Sequence, residues 1–291
     1  MYGAIAANKR NTAIFIAVFV ALIGGIGWVV GYISGDMTLG IWCLTIAAIY
    51  AFTQYFLASK LAVAMTGAKK IDGKQDNPRL YHIVDTLAIT VGIPTPEIYV
   101  INDPAPNAFA TGRDPKHAII GVTTGLLDTM DDNELTGVIA HEMSHIQNYD
   151  IRLSAIVFGL VCLIGYISDI GFRVLVGGGD RDKNPITLVV GIVAMILAPI
   201  VALAVQMSVS RQREYLADSS AVMITRYPEG MISALKKLGE YKQPMAKQNP
   251  SMNMMFISDP DKKKGFMSRM FSTHPPIEDR IARLEQNQGK F

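Results

Sequence analysis

Long runs without a charged side chain dominate the hydrophobic pattern along this chain of 291 residues. A helix needs about 20 apolar residues to cross the core of a bilayer, with a range of about 17 to 25. Four runs approach or exceed that length: Asn11–Gly35, Met37–Ser59, Leu153–Ser168 and Asn184–Ser210. The third is the shortest, although apolar residues beyond Asp169 could extend it. The pattern predicts four transmembrane helices, with a buried hairpin in a soluble domain as the alternative for the last two.

Basic residues are concentrated at one end of each predicted span. They precede the first and third spans and follow the second and fourth, at Lys9, Arg10, Lys60, Lys69, Lys70, Arg152, Arg211 and Arg213. The turn at Asp36 has no basic residue, and in the loop Asp169–Lys183 acidic residues balance the basic ones. Because short cytoplasmic flanks are enriched in lysine and arginine, both termini and the segment between the second and third spans are predicted to be cytoplasmic. The first run exceeds the apolar region of a cleaved signal peptide, about 7–15 residues, so we expect a retained anchor.

Between the second and third spans the pattern is that of a folded domain. Asn77–Gly92 has apolar residues at helical spacing, Glu97–Ile101 follows two prolines as a strand, and Asn107–Gly112 with His117–Thr123 is typical of a β-hairpin. After the fourth span we predict helices at Arg211–Arg226, Gly230–Tyr241 and Pro276–Gln286, and a mobile loop at Lys242–Met270.

The predicted fold class is α+β and mainly α. Two N-terminal transmembrane helices occupy 1–59, and a first domain part with a small β-sheet occupies 60–152. A transmembrane hairpin follows at 153–210, and the second domain part occupies 211–291.

The composition also indicates a membrane protein, because only 18% of the residues are charged against about 25% in soluble domains. The net charge of +2 argues against a nucleic-acid partner. Both cysteines lie in apolar runs, which argues against a disulfide framework and a cysteine-ligated metal.

The segment Asp131–Asp150 carries the clearest chemical signal. It reads as one helix with an acidic N-cap and an apolar face. His141 and His145 are four residues apart, so both imidazoles lie on one face and can bind one cation. Glu142 stands beside the first histidine, where a general base for a water molecule is needed. This is the H-E-x-x-H pattern of zinc metalloproteases; the alternative is a solvated helix face with two ordinary histidines.

A catalytic zinc site needs a third protein ligand. A further histidine six residues beyond the pair is excluded, because Ile151 stands there. A hairpin of the last two spans would return the chain to the side of the histidines and bring Glu214 to a similar depth. Asp218 lies one turn later and could accept a hydrogen bond from a zinc-bound histidine. Alternatively, both carboxylates pair with nearby arginines on a solvated helix.

These motifs together resemble the HtpX family of integral-membrane zinc metallopeptidases, in the gluzincin group that also contains the CAAX prenyl endopeptidases. The matching segments are His141-Glu-Met-Ser-His145 and, two predicted spans later, Glu214-Tyr-Leu-Ala-Asp218. The resemblance also covers Asn107-Ala108-Phe109-Ala110-Thr111-Gly112 and Ser272-Thr-His274-Pro. It extends over nearly the whole chain. It implies a gluzincin-type peptidase domain on the cytoplasmic side of a bacterial inner membrane.

The resemblance implies one Zn²⁺ per chain, held by His141, His145 and Glu214, with Glu142 as the general base of peptide hydrolysis. The expected substrates are polypeptides, above all misfolded or damaged membrane proteins in protein quality control. The partners are thus these substrates and the lipid bilayer, and the sequence predicts no particular oligomeric state.

Substrate and oxyanion contacts are expected at two further motifs. The strand residues Asn107, Ala108, Phe109, Ala110 and Thr111 are expected to bind a peptide by strand addition, although Asn107 could be a turn residue. The oxyanion of the tetrahedral intermediate needs a donor, for which His274 is the first candidate and Arg280 the second.

Other functions fit the sequence less well. A CAAX-type prenyl-protein endopeptidase shares the chemistry, but four spans are few for an enclosed lipid chamber. A non-catalytic membrane scaffold would need a fourth ligand to close its zinc site. A site-2-type intramembrane protease would bury the histidine motif within a span, and a transporter would place ionisable residues inside its spans.

Overall fold

The computed structural model describes residues 2–177, 211–246, 252, 255–258 and 274–287. The predicted fourth span Asn184–Ser210, most of the loop Lys242–Met270 and residues 272–273 of the C-terminal motif lie outside the described residues. The helices are α1 Tyr2–Ser34, α2 Thr38–Thr66, α3 Pro78–Val91, α4 Thr124–Thr129, α5 Asp132–Gln147, α6 Asp150–Gly177, α7 Arg211–Thr225, α8 Pro228–Glu240 and α9 Ile277–Asn287. The strands are β1 Lys69–Lys70, β2 Glu97–Ile101, β3 Ala108–Gly112 and β4 Ala118–Thr123.

Two of the described helices, α1 and α2, are long and apolar enough to cross a membrane. Large apolar side chains such as Trp28, Trp42 and Phe52 stay exposed along them, as lipid-facing residues do. The second helix continues beyond the predicted end at Ser59, because apolar residues resume after Lys60 and the helix ends only where Gly67 adopts φ 69°.

The helix α6 packs against both of these helices. Ile156 and Leu160 of α6 share a cluster with Phe19 of α1 and Ala47 and Ala51 of α2. A third membrane-crossing candidate arises if α5 and α6 are taken as one span bent by 80°. The N-terminal helices and the helix carrying the histidine motif are thus joined through α6.

The four strands form one mixed sheet in the order β1-β2-β4-β3. The predicted hairpin is present: β3 pairs antiparallel with β4, and a short 3₁₀ turn, Pro115–His117, connects them. Asp114 stabilises that turn by accepting the backbone N–H groups of Lys116 and His117. The parallel pairing of β2 with β4 and the strand β1 were not predicted.

The helix α5 lies in the main core, between the sheet and the helices α3, α7 and α8. Leu135, Ile139 and Met143 are fully buried there. Asp131 and Glu134 form a capping box at its start, as an acidic N-terminus favours.

The prediction of one helix from Asp131 to Asp150 is wrong at its C-terminal end. The helix α5 ends at Gln147, Tyr149 has φ 60°, and α6 begins at Asp150 in a new direction. A left-handed residue interrupts the helical hydrogen bonds, so the chain turns by 80°.

Candidate metal centre

His141, His145 and Glu214 bring three ligand atoms together within 4.8 Å of one another. The two histidines project from successive turns of α5, and Glu214 comes from the first turn of α7. The Nε2 atoms of the histidines are 3.1 Å apart. The Oε1 of Glu214 lies 3.5 Å from the Nε2 of His145, and its Oε2 lies 3.7 Å from the Nε2 of His141. The residue predicted from topology is therefore beside the histidine pair.

Each histidine is held on its far side by a buried carboxylate. The Nδ1 of His141 is 2.9 Å from Asp218, the carboxylate one turn after Glu214, and the Nδ1 of His145 is 2.9 Å from Asp150. An ionised carboxylate can only accept, so each Nδ1 carries a proton and each Nε2 is left facing the space between the two histidines and Glu214. The role of Asp150 was missed, because it lies beyond the end of α5 and only the bend brings it back to His145.

Electrostatics of this site favour a cation. The two Nε2 atoms and the Glu214 carboxylate face one space, and the Oε2 of Glu214 is buried without a hydrogen-bond partner among the described residues. Zinc bonds of about 2.0–2.2 Å at tetrahedral angles separate ligand atoms by about 3.3–3.6 Å. The two nitrogens are 3.1 Å apart, Oε1 of Glu214 is 3.5 Å from that of His145, and Oε2 is 3.7 Å from that of His141, all close to that range. The donor set therefore fits zinc.

Glu142 lies beside these ligands and is 1% exposed. Burial raises the pKa of its carboxyl to about 7 in the metal-free site, partly offset by the nearby charge of His145. It also accepts a hydrogen bond from the backbone N–H of Ala110 in β3. A carboxyl group with a pKa near neutrality is suited to exchange protons during a reaction.

The ligands themselves carry opposite shifts. Burial lowers the pKa of His145, but the hydrogen bond to Asp150 and the charge of Glu214 outweigh it and raise the pKa to about 9. Burial raises the pKa of Glu214, but the charges of His274, the two ligand histidines and Arg280 lower it to about 2. His145 therefore carries an extra proton at neutral pH, and this proton must leave before the Nε2 can bind a metal ion.

Arg280 is a fully buried cation beneath the centre, with a side-chain exposure of 0%. Its Nε and Nη2 donate to the two oxygens of Asp218 at 2.8 and 2.6 Å, and its Nη1 donates to the carbonyl of Ile257 at 3.0 Å. Burial lowers its pKa, but the charge of Asp218 outweighs this and raises it. The guanidinium is committed to Asp218, which orients His141.

A cavity opens in front of the three ligand atoms. His274, the first predicted oxyanion donor, lines it with its Nε2 3.9 Å from Glu214. The cavity also contacts residues that the sequence did not single out. Its lining is Ala110, His141, Glu142, His145, Asp150, Ile151, Ser154, Arg213, Glu214, Met255, Phe256, Ile257 and His274.

The strand predicted to bind substrate, β3, forms the edge of the sheet next to this cavity. All five residues from Ala108 to Gly112 are buried. Part of the edge is covered by the chain itself: Phe109 forms an antiparallel bridge with Phe256, and both polar atoms of the Asn107 side chain bond the backbone of Ser258. Ala110 is the strand residue that faces the cavity.

A histidine pair on one helix, a glutamate on a later helix and apolar N-terminal helices together define a membrane metallopeptidase. The sequence relationships agree. Residues 74–288 match peptidase family M48, and the chain belongs to this family. The resemblance to the HtpX proteases is confirmed.

Curated relatives match over their full length. The chain is 49% identical over 293 residues to the protease HtpX homologue of Tropheryma whipplei (strain Twist), with 100% of both chains covered. It is 46% identical to the homologue of Streptococcus mutans serotype c, covering 98% of this chain and 99% of that protein. Among solved structures, Ste24p of S. mikatae is similar in fold, with a TM-score of 0.52 at 16% identity. That match covers 96% of this chain and 66% of Ste24p.

Proposed function

We propose that this metallopeptidase is a zinc endopeptidase in which His141, His145 and Glu214 hold the metal. The observation that carries the proposal is the convergence of three ligand atoms within 4.8 Å, with both histidines fixed in one tautomer by buried carboxylates. Zinc, when bound, supplies a Lewis acid and makes a water molecule more acidic.

Glu142 is proposed as the general base. It takes a proton from water as the oxygen attacks the scissile carbonyl, and it passes that proton to the leaving amine as the C–N bond breaks. Its burial beside the ligands and its pKa of about 7 support this role. His274 is the proposed donor to the oxyanion, because it lines the cavity whereas Arg280 is committed to Asp218 and Ile257.

We propose that a substrate peptide adds to the edge of β3 at Ala110. The contacts of Asn107 and Phe109 with the segment 255–258 support an indirect role for these two residues, as the support of the cavity wall. Main-chain pairing tolerates many side chains, which suits the breakdown of misfolded or damaged polypeptides.

The proposed setting is a bacterial inner membrane, with four spans and with the site and both termini in the cytoplasm. Lysine and arginine flanks at the predicted spans support this orientation. In the proposed domain organisation the spans occupy 1–59 and 153–210. The two peptidase parts, 60–152 and 211–291, then both lie on the cytoplasmic side. Reporter fusions at Asp36 and at the C-terminus test it, since they should report opposite sides of the membrane.

Glu142→Gln tests the mechanism, because the amide keeps the shape of the side chain but cannot accept the proton. The variant should keep one zinc per chain by elemental analysis and lose cleavage of casein by at least about 100-fold, the contribution of a general base. Cleavage at the wild-type rate by a zinc-loaded variant contradicts the assignment.

A CAAX-type prenyl-protein endopeptidase is the second candidate, favoured by the fold shared with Ste24p. Cleavage of a prenylated peptide and of an unfolded membrane protein should be compared at equal concentrations. Preference for the unfolded protein supports the first candidate.

A further inference from the structure

The first membrane helix reaches the metal centre through its N-terminal turns. Asn8 of α1 is only 4% exposed, although α1 is an apolar helix, long enough to cross a membrane, of which little is buried. Its Nδ2 donates to Asp150 Oδ1 at 2.6 Å and to the carbonyl of Asn148 at 2.9 Å. Both amide protons are therefore used, and both partners belong to the bend between α5 and α6.

Asp150 connects this contact to a metal ligand. Its Oδ1 faces Asn8, while its Oδ2 lies 2.9 Å from the Nδ1 of His145. Arg213 is 3.6 Å from the same Oδ1 and 3.4 Å from the side-chain oxygen of Asn8. Because one rigid carboxylate makes both contacts, fixing Oδ1 also fixes the direction in which Oδ2 holds the imidazole.

The bend itself is a strained piece of backbone. Tyr149 has φ 60°, and a left-handed conformation costs a residue with a Cβ about 1–2 kcal/mol. Two residues of α1 contact it: Asn8 binds the carbonyl of Asn148, and the Nζ of Lys9 lies 4.4 Å from the centre of the Tyr149 ring. The direction in which Asp150 leaves the bend thus depends on α1.

We propose that Asn8 is a positioning residue of the metal centre, acting through Asp150 on His145. The inference rests on the proposed zinc site and deepens it, because docking of the first membrane helix becomes a condition for full metal affinity. An amide suits this position, since one side chain must donate twice and also accept.

Zinc affinity of the full chain in detergent, measured by competition with a chromophoric chelator, tests the proposal. Removing an outer partner of a metal-bound histidine typically costs 10- to 100-fold in affinity. We expect Asp150→Ala to lose that much and Asn8→Ala to lose about 10-fold. Asn11→Ala is the matched control: it removes the same amide from the same helix, and none of the described contacts joins it to the bend. It should leave affinity unchanged.

A double-variant cycle separates positioning from general destabilisation. In the Asp150→Ala background, Asn8→Ala should change zinc affinity by less than about twofold. Asn8→Ser, which keeps a hydrogen-bonding group at this position, should fall between wild type and Asn8→Ala and provides a second variant if the alanine does not fold.

Three outcomes overturn the inference. They are unchanged zinc affinity in both Asn8 variants, an equal loss with and without Asp150, and an equal loss in Asn11→Ala. Failure of the proposed function is distinguishable, because a wild-type chain that binds no zinc overturns both proposals, whereas normal zinc binding with unaffected Asn8 variants overturns only this one.

Discussion

Replacing Arg280 by methionine should destabilise the folded chain by about 3–5 kcal/mol, the cost of breaking a buried ion pair by removing one partner. The magnitude follows from its surroundings. The side chain of Arg280 is 0% exposed and that of Asp218 is 2% exposed, and two hydrogen bonds of 2.6 and 2.8 Å join them. Methionine fills similar space but leaves the Asp218 carboxylate buried with His141 as its remaining polar partner among the contacts described.

Thermal unfolding in detergent, followed by circular dichroism, measures the effect. At about 2–4 °C per kcal/mol for a chain of this order of size, the melting temperature should fall by roughly 10 °C. Arg283→Met is the matched control on the same helix, because Arg283 is exposed and contacts the ring of Tyr215. Loss of that contact should cost less than about 1 kcal/mol.

A double variant separates stability from positioning. Arg280→Met with Asp218→Leu removes both charges, so the melting temperature should recover. Zinc affinity should nevertheless be lower than in the wild type, because His141 has lost its carboxylate. An Arg280→Met variant with wild-type melting temperature and zinc affinity but no activity would refute this reasoning and favour a direct contact of Arg280 with the oxyanion.

Two further predictions concern the metal. Glu214→Gln should lower zinc affinity by more than about 100-fold, since it removes a charged ligand rather than an outer partner; exposed Glu240→Gln is the control, and a full zinc complement by elemental analysis would rule Glu214 out as a ligand. Zinc affinity should also rise with pH, by about tenfold per unit between roughly pH 6 and 8, because a proton must leave His145 first. The pKa of His145 is raised to about 9 in the metal-free site, so the rise should level off near that pH in competition titrations. Affinity independent of pH over this range contradicts the raised pKa.

The sequence determined the features that depend on near neighbours along the chain. Helical periodicity placed His141 and His145 on one face of α5, and an acidic N-cap set the start of that helix. Two short apolar segments separated by a turn, Asn107–Gly112 and His117–Thr123, predicted the hairpin of β3 and β4. Each of these follows from backbone geometry over a few residues, which a sequence pattern records directly.

Predicting Glu214 required an argument from topology in addition to local patterns. The distance between it and the histidines along the chain carries no periodic signal, but the expectation of a returning hairpin limited where a third ligand could lie. The family resemblance then identified it. The structure brings Glu214 to 3.5 Å from His145.

Apart from Asp218, only the tertiary structure decided which groups support the site. Asn8 and Asp150 are separated by 142 positions in the chain, and Asn107 and Ser258 by 151, so no local pattern connects them. The bend at Tyr149, which turns Asp150 back to His145, breaks the helical periodicity that had predicted one continuous helix. The histidine pair could be predicted because helix geometry fixes its spacing, and Asp218 because it lies one turn after Glu214, whereas Asn8 and Asp150 meet only through packing between distant elements.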